Sequence, residues 1–292
     1  MKLKKMVIIV LSILSLLLAA CQSPMQPAVG GTTVLAVESF LADMAQAVAG
    51  DRLKVESLIP LGMDPHTFEP SPQDVVRIAQ ARLLLVNGAG FEAWLERTIT
   101  ASGSKALVIE ASSGLQSRAE REGEAVMDED HHDEGDPHFW LDPVLAQHYA
   151  LNLRDGLIEI DPAGKEIYTR NAEAYIAQLK DLHSWIESQL AELPKERRKL
   201  VTNHESFGYF ADRYGFEVTG TLLPSVTTGA SPSAQQLARL VDQMRASDSP
   251  AIFVEDGANP QLAQQVAREA GVKVVTGLYT HSLTPPGGGG RD

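Results

Sequence analysis

Short apolar runs alternate with amphipathic segments along most of the chain. Runs such as Thr33–Val37, Leu83–Val86 and Ala251–Val254 are continuous apolar or β-branched stretches, which is typical of strands buried in parallel sheets. The segments between such runs place apolar residues three and four positions apart, which predicts amphipathic helices. Strands that alternate with helices form parallel sheets covered on both faces, so the pattern predicts an α/β fold.

The predicted elements fall into two series with the same rhythm. The first series has strands at 33–37, 54–59, 83–86 and 106–109 and helices at 40–48, 71–81, 91–100 and 144–158. The second series has strands at 200–202, 217–222, 251–254 and 272–275 and helices at 207–214, 233–246 and 260–270. Two series of this kind predict two lobes, each a mainly parallel sheet flanked by helices.

The longest periodic segment, Gly164–Leu193, separates the two series. Its apolar residues recur every three or four positions, as in Tyr168, Ala172, Tyr175, Leu179 and Leu182. About 30 helical residues at 1.5 Å per residue span ~45 Å. A core helix is one interpretation. We favour a rigid strut between the lobes, because the alternation of strands and helices restarts after it.

These patterns predict the domain boundaries. An N-terminal α/β lobe covers 33–160, a linking helix covers 161–194, and a C-terminal α/β lobe covers 195–292. Residues 1–20 predict a lipoprotein signal peptide, because lysines precede an apolar run that is too short to span a membrane. Residues 21–32 contain two prolines and two glycines and predict a flexible tether.

Cys21 is the only cysteine of the chain, and it follows Leu18-Ala19-Ala20. This arrangement resembles the cleavage site of bacterial lipoprotein signals, which predicts cleavage before Cys21 and lipid on its sulfur. An ordinary signal peptide with an incidental cysteine is the alternative. A single cysteine also excludes an internal disulfide.

Charge and composition narrow the class of protein. The net charge is −13, which argues against a nucleic-acid partner, because nucleic acids bind clustered Lys and Arg. Hydrophobic residues make up 44% of the chain, which is too high for general disorder. An acidic surface suits a cationic ligand, although most acidic proteins are simply soluble.

Four of the eight histidines fall in predicted loops after strands, where α/β sheets bind ligands. They are His66, His138, His204 and His281. Four imidazoles fill the tetrahedron of Zn²⁺, and an all-nitrogen site favours Zn²⁺ over Mn²⁺. A plain surface histidine is the commoner case for any one of them. The prediction of one metal site therefore depends on the fact that all four histidines occur in such loops. His148 and His183 lie in predicted helices and are assigned structural or surface roles.

Two further features bear on this predicted site. Carboxylates that stabilise the ion are available by position in Asp64, Asp136, Asp142, Glu205 and Glu255. His131 and His132 lie in an acidic loop over 128–134. That loop is either an auxiliary metal-collecting segment or a solvated acidic loop.

Three motifs resemble those of one family. Gly62–Ser71 (GMDPHTFEPS), Asp136–Pro143 (DPHFWLDP) and Asn203–Phe210 (NHESFGYF) are similar to the ligand motifs of solute-binding lipoproteins of zinc/manganese ABC importers. This family includes metal-binding streptococcal adhesins, and the resemblance extends from about residue 33 onward. It implies two α/β lobes joined by a long rigid helix, with the metal in the cleft. His204 has the form usual in zinc binders, where manganese binders often carry Glu.

The chain departs from the family pattern at two places. His281 stands where the family commonly has Asp. Members also continue with a last helix, whereas here a glycine run precedes Asp292, so we expect the C-terminal lobe to lack that helix.

The resemblance implies a monomeric protein that is not an enzyme. It captures Zn²⁺ outside the cell membrane, where a lipid at Cys21 anchors it, and delivers the ion to an ABC permease driven by its ATPase. A manganese-binding importer protein is the alternative within the class. A zinc hydrolase and an adhesin are alternatives from other classes. Glu205 beside His204 offers a hydrolytic base, but the chain lacks the second histidine of His-Glu-x-x-His.

Overall fold

The computed structural model of the chain describes residues 34–118, 135–229 and 231–284, together with Gly287. The predicted signal peptide and tether, including Cys21, lie outside these residues. So do His131, His132 and most of the glycine-rich end of the chain.

The first lobe contains a four-stranded sheet in the spatial order β2-β1-β3-β4, with every neighbouring pair parallel. Its strands are β1 Val34–Ala36, β2 Val55–Ser57, β3 Leu83–Val86 and β4 Leu107–Glu110. Its helices are α1 Ser39–Ala49, α2 Pro72–Gln80, α3 Leu95–Ser102 and α4 Pro143–Ile160. Side chains alternate between two apolar clusters, one on each face of the sheet. This confirms the α/β fold predicted from the apolar runs.

The second lobe repeats the arrangement with the order β6-β5-β7-β8, again with parallel neighbours. Its strands are β5 Lys199–Thr202, β6 Glu217–Thr221, β7 Ala251–Glu255 and β8 Lys273–Leu278. Its helices, continuing the numbering after the linking helix α5, are α6 Gly208–Tyr214, α7 Ala234–Ser247 and α8 Gln261–Ala270. Val201 and Ile252 pack with side chains of α7 and α8 in a third apolar cluster.

The long helix α5, Lys165–Leu190, joins the two lobes. Its 26 residues span about 39 Å at the usual rise. Tyr168, Ala172 and Leu179 form its buried stripe, while most of its second half is exposed. Among the described residues, no helix combines the length and the apolar character that a membrane span requires.

One helix begins later than its sequence pattern predicts. The pattern starts at Phe91, whereas α3 starts at Leu95. The Glu92 carboxylate accepts hydrogen bonds from the backbone N–H groups of Asn87 and Gly88, at 2.5 and 3.1 Å. Because Gly88 has a positive φ of 82°, this stretch is held as a turn rather than as a first helical turn.

Candidate metal centre

The four loop histidines come together between the lobes. One ring nitrogen each from His66, His138, His204 and His281 lies within 4.8 Å of those of the other three. His138 and His204 are fully buried, His281 is nearly so, and His66 is half-buried. Residues spread over more than two hundred positions therefore form one compact cluster.

His66 is held by the loop after β2. Asp64 opens a short 3₁₀ turn, and its Oδ1 accepts a hydrogen bond from the His66 backbone N–H at 3.0 Å. Its Oδ2 accepts a hydrogen bond from Thr228 of the second lobe at 2.5 Å. The His66 Nε2 atom is buried and has no hydrogen-bond partner among the described residues. Asp64 thus fixes the backbone of His66 and leaves the ring nitrogen available.

His138 is oriented by the carboxylate of Asp136. Oδ1 of Asp136 accepts a hydrogen bond from the His138 backbone N–H at 3.0 Å and lies 2.8 Å from its Nδ1. Nδ1 is therefore engaged, and Nε2 points to the cluster, 3.2 Å from Nε2 of His204. A carboxylate behind a histidine in this way fixes its tautomer and makes the ring a better metal ligand.

His204 and His281 share one carboxylate. Oε1 of Glu255 lies 3.1 Å from Nδ1 of His204, and Oε2 lies 3.4 Å from Nδ1 of His281. Ser206 adds a hydrogen bond to Oε1 at 2.8 Å. The Nε2 atom of His281 is buried and lacks a hydrogen-bond partner among the described residues. Glu255, at the end of β7, thus orients both histidines of the second lobe.

Burial and mutual repulsion set the charges of this cluster. Burial lowers the pKa values of His66 and His138 well below their usual range, and the neighbouring histidines lower them further. Burial raises the pKa of Asp136 to about 7, although the hydrogen bond from the His138 backbone and the positive charge of Arg118 both act to lower it. For Glu255, burial acts to raise the pKa, but His204 and His281 outweigh it and hold the pKa far below its usual value. The lowered pKa values favour neutral rings at His66 and His138, and the ionised Glu255 adds a negative charge that suits a cation.

The histidine cluster lies next to the aromatic ring of Phe91 and to an open groove. The Phe91 ring lies 4.7 Å from the ring of His66 and 5.8 Å from that of His281. A groove of about 650 Å³ opens beside the cluster, and both Glu255 and His281 line it. Residues of both lobes line this groove, among them Asp64 of the first lobe.

Several hydrogen bonds between the lobes involve residues that the sequence patterns did not single out. The Trp140 indole N–H donates a hydrogen bond to the backbone oxygen of Thr280 at 2.7 Å. The Tyr209 hydroxyl donates to the backbone oxygen of Asp136 at 2.6 Å. The Leu283 N–H donates to Ser39 Oγ at 3.1 Å. Trp140 and Tyr209 fall within two of the motifs quoted above, and this is the sequence signal that could have indicated these hydrogen bonds.

The carboxylates and the other histidines suggested from the sequence lie in different parts of the molecule. Of the five carboxylates suggested from position, Asp136 and Glu255 contact the histidine rings, and Asp142 pairs with Arg213 instead. Glu205 is half-buried beside His204. His148 and His183 contact Ser113 and Tyr214, away from the cluster. The suggested auxiliary histidines 131 and 132 lie outside the described residues.

The spacing of the nitrogens suits one small ion. In a tetrahedron with Zn–N distances of about 2.0–2.1 Å, neighbouring nitrogens are ~3.3 Å apart. The separation of 3.2 Å between the Nε2 atoms of His138 and His204 is close to that edge, and the four nitrogens as a set lie within 4.8 Å of one another. Four nitrogens would be enough for the tetrahedral shell of such an ion, whereas a catalytic zinc keeps one position open for water.

Known proteins share this fold and much of this sequence. The family described as "Zinc-uptake complex component A periplasmic" (ZnuA) matches residues 34–292. "Manganese-binding lipoprotein MntA" of Halalkalibacterium halodurans is 33% identical over 259 residues, covering 89% of this chain and 82% of that protein. "Iron-binding protein YfeA" of Yersinia pestis is 32% identical over 251 residues, covering 86% and 78%.

Solved structures agree with the sequence comparisons. A mutant structure of the laminin-binding adhesin Lmb from Streptococcus agalactiae superposes with a TM-score of 0.76 at 30% identity, covering 89% of this chain and 94% of that one. Together with a family match over all described residues, these likenesses assign the protein to a class that binds and transports metal rather than catalysing a reaction. The chain belongs to the ZnuA family of metal-binding solute-binding proteins of ABC importers.

Proposed function

We propose that the protein captures Zn²⁺ outside the membrane and delivers it to the permease of an ABC importer. The observation that carries the proposal is the convergence of four buried or half-buried histidine rings, with ring nitrogens within 4.8 Å of one another. In this proposal His66, His138, His204 and His281 bind the ion through nitrogen alone.

The choice of metal rests on the ligand atoms. Nitrogen ligands favour Zn²⁺ over Mn²⁺ in the divalent affinity order, and Mn²⁺ prefers oxygen. The carboxylates of Asp136 and Glu255 contact the outer Nδ1 atoms of the rings, so they orient ligands rather than replace them. Zn²⁺ brings two positive charges to neutral imidazoles, and the ionised Glu255 offsets part of that charge.

A manganese-binding role is the second candidate, and the name of one relative, MntA, favours it. MntA is named as manganese-binding and YfeA as iron-binding, each at more than 30% identity. The presence of His281 as a fourth nitrogen supports zinc in this chain.

Calorimetry on the metal-free full chain tests the proposal. We expect one tight Zn²⁺ site, and excess Mn²⁺ is expected not to displace the bound Zn²⁺. His138→Ala and His204→Ala are expected to lose the tight site, because each removes a buried ligand. His148→Ala is the matched control, since that histidine contacts Ser113 away from the cluster. Tight binding that survives both ligand substitutions contradicts the assignment, and preferential retention of Mn²⁺ supports the second candidate.

The proposed function also includes a lipid anchor and an auxiliary metal-binding loop. Cys21 carries a lipid that holds a monomer at the outer face of the membrane, and the histidines 131 and 132 collect Zn²⁺ weakly before it reaches the centre. Mass spectrometry of protein from membranes tests the lipid, and calorimetry of His131→Ala/His132→Ala tests for a second, weaker site.

An adhesive role beside transport is favoured by one likeness, that to the laminin-binding adhesin Lmb. Binding of the purified protein to immobilised laminin, with and without Zn²⁺, tests that role separately from transport.

A further inference from the structure

The short helix α6 of the second lobe is fixed to the first lobe by two ion pairs of opposite polarity. Asp212 accepts two hydrogen bonds from Arg118 of the first lobe, from Nε to Oδ2 at 2.6 Å and from Nη2 to Oδ1 at 3.1 Å. The next residue, Arg213, donates from Nε to Oδ2 of Asp142 in the first lobe at 2.9 Å. Because the two adjacent charges on α6 differ in sign, sliding or reversing the helix opposes like charges.

Arg118 has a second contact that leads towards the metal centre. Its Nη1 lies 3.7 Å from Oδ2 of Asp136. The other oxygen of Asp136 lies 2.8 Å from Nδ1 of His138. One guanidinium therefore contacts a carboxylate of the second lobe and the carboxylate that orients a histidine of the first lobe.

The close packing around Arg118 shows that α6 is seated tightly against it. A Cβ atom at Gly208 would lie 2.0 Å from Nη1 of Arg118 and 2.6 Å from Oδ2 of Asp136, so only glycine permits this approach. The Tyr209 hydroxyl accepts a hydrogen bond from the Arg118 backbone N–H at 3.0 Å. The Arg118 side chain keeps only 20% of its exposure. Its charge is consequently held in one place rather than moving freely in solvent.

We propose that Arg118 is a positioning residue that couples closure of the two lobes to retention of the metal ion. With the lobes closed, Arg118 is shared between Asp212 and Asp136, and Asp136 holds the His138 ring towards the ion. Separation of α6 from the first lobe removes Asp212 and changes the charge beside Asp136, so lobe opening loosens His138. The inference rests on the proposed function, because it concerns the rate at which the same centre releases its ion.

The dissociation rate of Zn²⁺ tests this coupling. The Zn²⁺-loaded full chain is mixed with an excess of a chromogenic chelator, and the transfer of Zn²⁺ is followed by stopped flow. We expect Arg118→Gln and Asp212→Asn each to release Zn²⁺ about tenfold faster than the wild type, since contacts between closed surfaces act mainly on dissociation. Arg154→Gln is the matched control, because Arg154 forms a similar pair with Asp155 inside α4, away from the lobe interface.

A spectroscopic measurement separates positioning from a general loss of stability. With ¹¹³Cd²⁺ as the probe, we expect the metal resonance to move in Arg118→Gln, where the contact with Asp136 is lost. We expect a smaller movement in Asp212→Asn, where that contact remains. Arg118→Lys keeps the charge but not the two-point contact, so we expect an intermediate dissociation rate.

The dissociation rates of the variants decide whether lobe closure and metal retention are coupled. Dissociation at the wild-type rate in both Arg118→Gln and Asp212→Asn overturns the coupling. Should Arg118→Gln not fold, Asp212→Asn alone decides, because its side chain is 59% exposed and its loss leaves the buried contacts intact. A wild-type protein without a tight Zn²⁺ site contradicts the proposed function instead, and that result is seen before any variant is compared.

Discussion

The two lobes have the same strand order, yet they bring histidines to the centre from different loops. In the first lobe, His66 follows β2 and His138 lies in the segment after β4, so both follow outer strands of the sheet. In the second lobe, His204 follows the inner strand β5 and His281 follows the outer strand β8. The parallel sheet determines at which edge a ligand site forms, but the side chains determine which loops supply it.

The lobes also differ in how they hold their rings. Each histidine of the first lobe has its own Asp two residues earlier in the chain; Asp64 bonds the backbone of His66, and Asp136 also contacts the ring of His138. The two histidines of the second lobe share the carboxylate of Glu255, and Nδ1 of His281 also lies 3.4 Å from the Thr280 hydroxyl. Support in the second lobe is therefore shared, and a single substitution there is expected to disturb two ligands at once.

The largest expected effect comes from Glu255→Gln. The variant loses the negative charge that orients His204 and His281, so we expect the Zn²⁺ dissociation constant to rise by about 100-fold. A competition titration against a chelator of known affinity measures this. Affinity within twofold of the wild type would show that the two rings are held by their loops without the carboxylate.

Asp136→Asn is expected to have a smaller effect, because it touches only the His138 ring. We expect the dissociation constant to rise about tenfold in the same titration. If Asp136→Asn weakens binding as much as Glu255→Gln does, then the difference in support between the lobes has no energetic consequence.

The pH dependence should distinguish buried from free imidazole. A free imidazole competes with the metal for a proton below pH ~6.5. Burial lowers the pKa values of His66 and His138, so both rings stay neutral at lower pH, and we expect protonation of these two ligands to weaken Zn²⁺ binding only clearly below pH ~6.5. Because these two pKa values are lower in the folded than in the unfolded chain, the metal-free protein should also lose stability as pH falls below about 6.5.

Titrations at pH 8, 7, 6 and 5 measure the affinity, and thermal unfolding of metal-free protein at the same pH values measures the stability. A metal-free protein that is as stable at pH 5 as at pH 7 would contradict the assigned effect of burial.

The smallest expected effect concerns the stability of the first lobe. The inner strands β1 and β3 are followed by Glu38 and Glu92 rather than by metal-binding histidines. Burial raises the pKa of Glu38 well above its usual value, and the charge of Glu92 raises it further. A carboxyl with a raised folded-state pKa destabilises the fold increasingly as pH rises above its unfolded value.

Glu38→Gln is therefore expected to stabilise the metal-free protein, on the order of 1 kcal/mol, and more at pH 8 than at pH 5. Thermal unfolding measures it, and Glu96→Gln on the exposed side of α3 is the control. A loss of stability at pH 8 would indicate that the Glu38 carboxylate has a structural role.

Local patterns predicted the fold well because each element is specified by nearby residues. Ser71 and Pro72 predict the start of α2, and the structure shows Ser71 capping that helix with a reciprocal bond from Asp74. The late start of α3 was not predictable in this way, because Glu92 holds the preceding turn through backbone N–H groups rather than through apolar spacing.

The site was predictable in part for a similar reason. Strand-to-helix loops and quoted motifs pointed to the four histidines, since parallel strands bring their carboxyl ends to one edge. The pair between Arg118 and Asp212 joins residues 94 positions apart, and a surface helix with mixed charges has no sequence pattern that names its partner. The orienting role of Glu255 for both His204 and His281 likewise requires the folded arrangement.

The placement of Trp140 gives this protein a built-in fluorophore. Its ring stacks on Phe40 with centroids 4.3 Å apart, and its indole N–H reaches across to Thr280 of the other lobe. Emission from an indole depends on the polarity around it, so its colour should change when the two halves part and water replaces that carbonyl. With the 58% exposed Trp185 and the half-buried Trp94 both changed to Phe, Trp140 is the one remaining tryptophan, and opening can be followed in solution without attaching a dye.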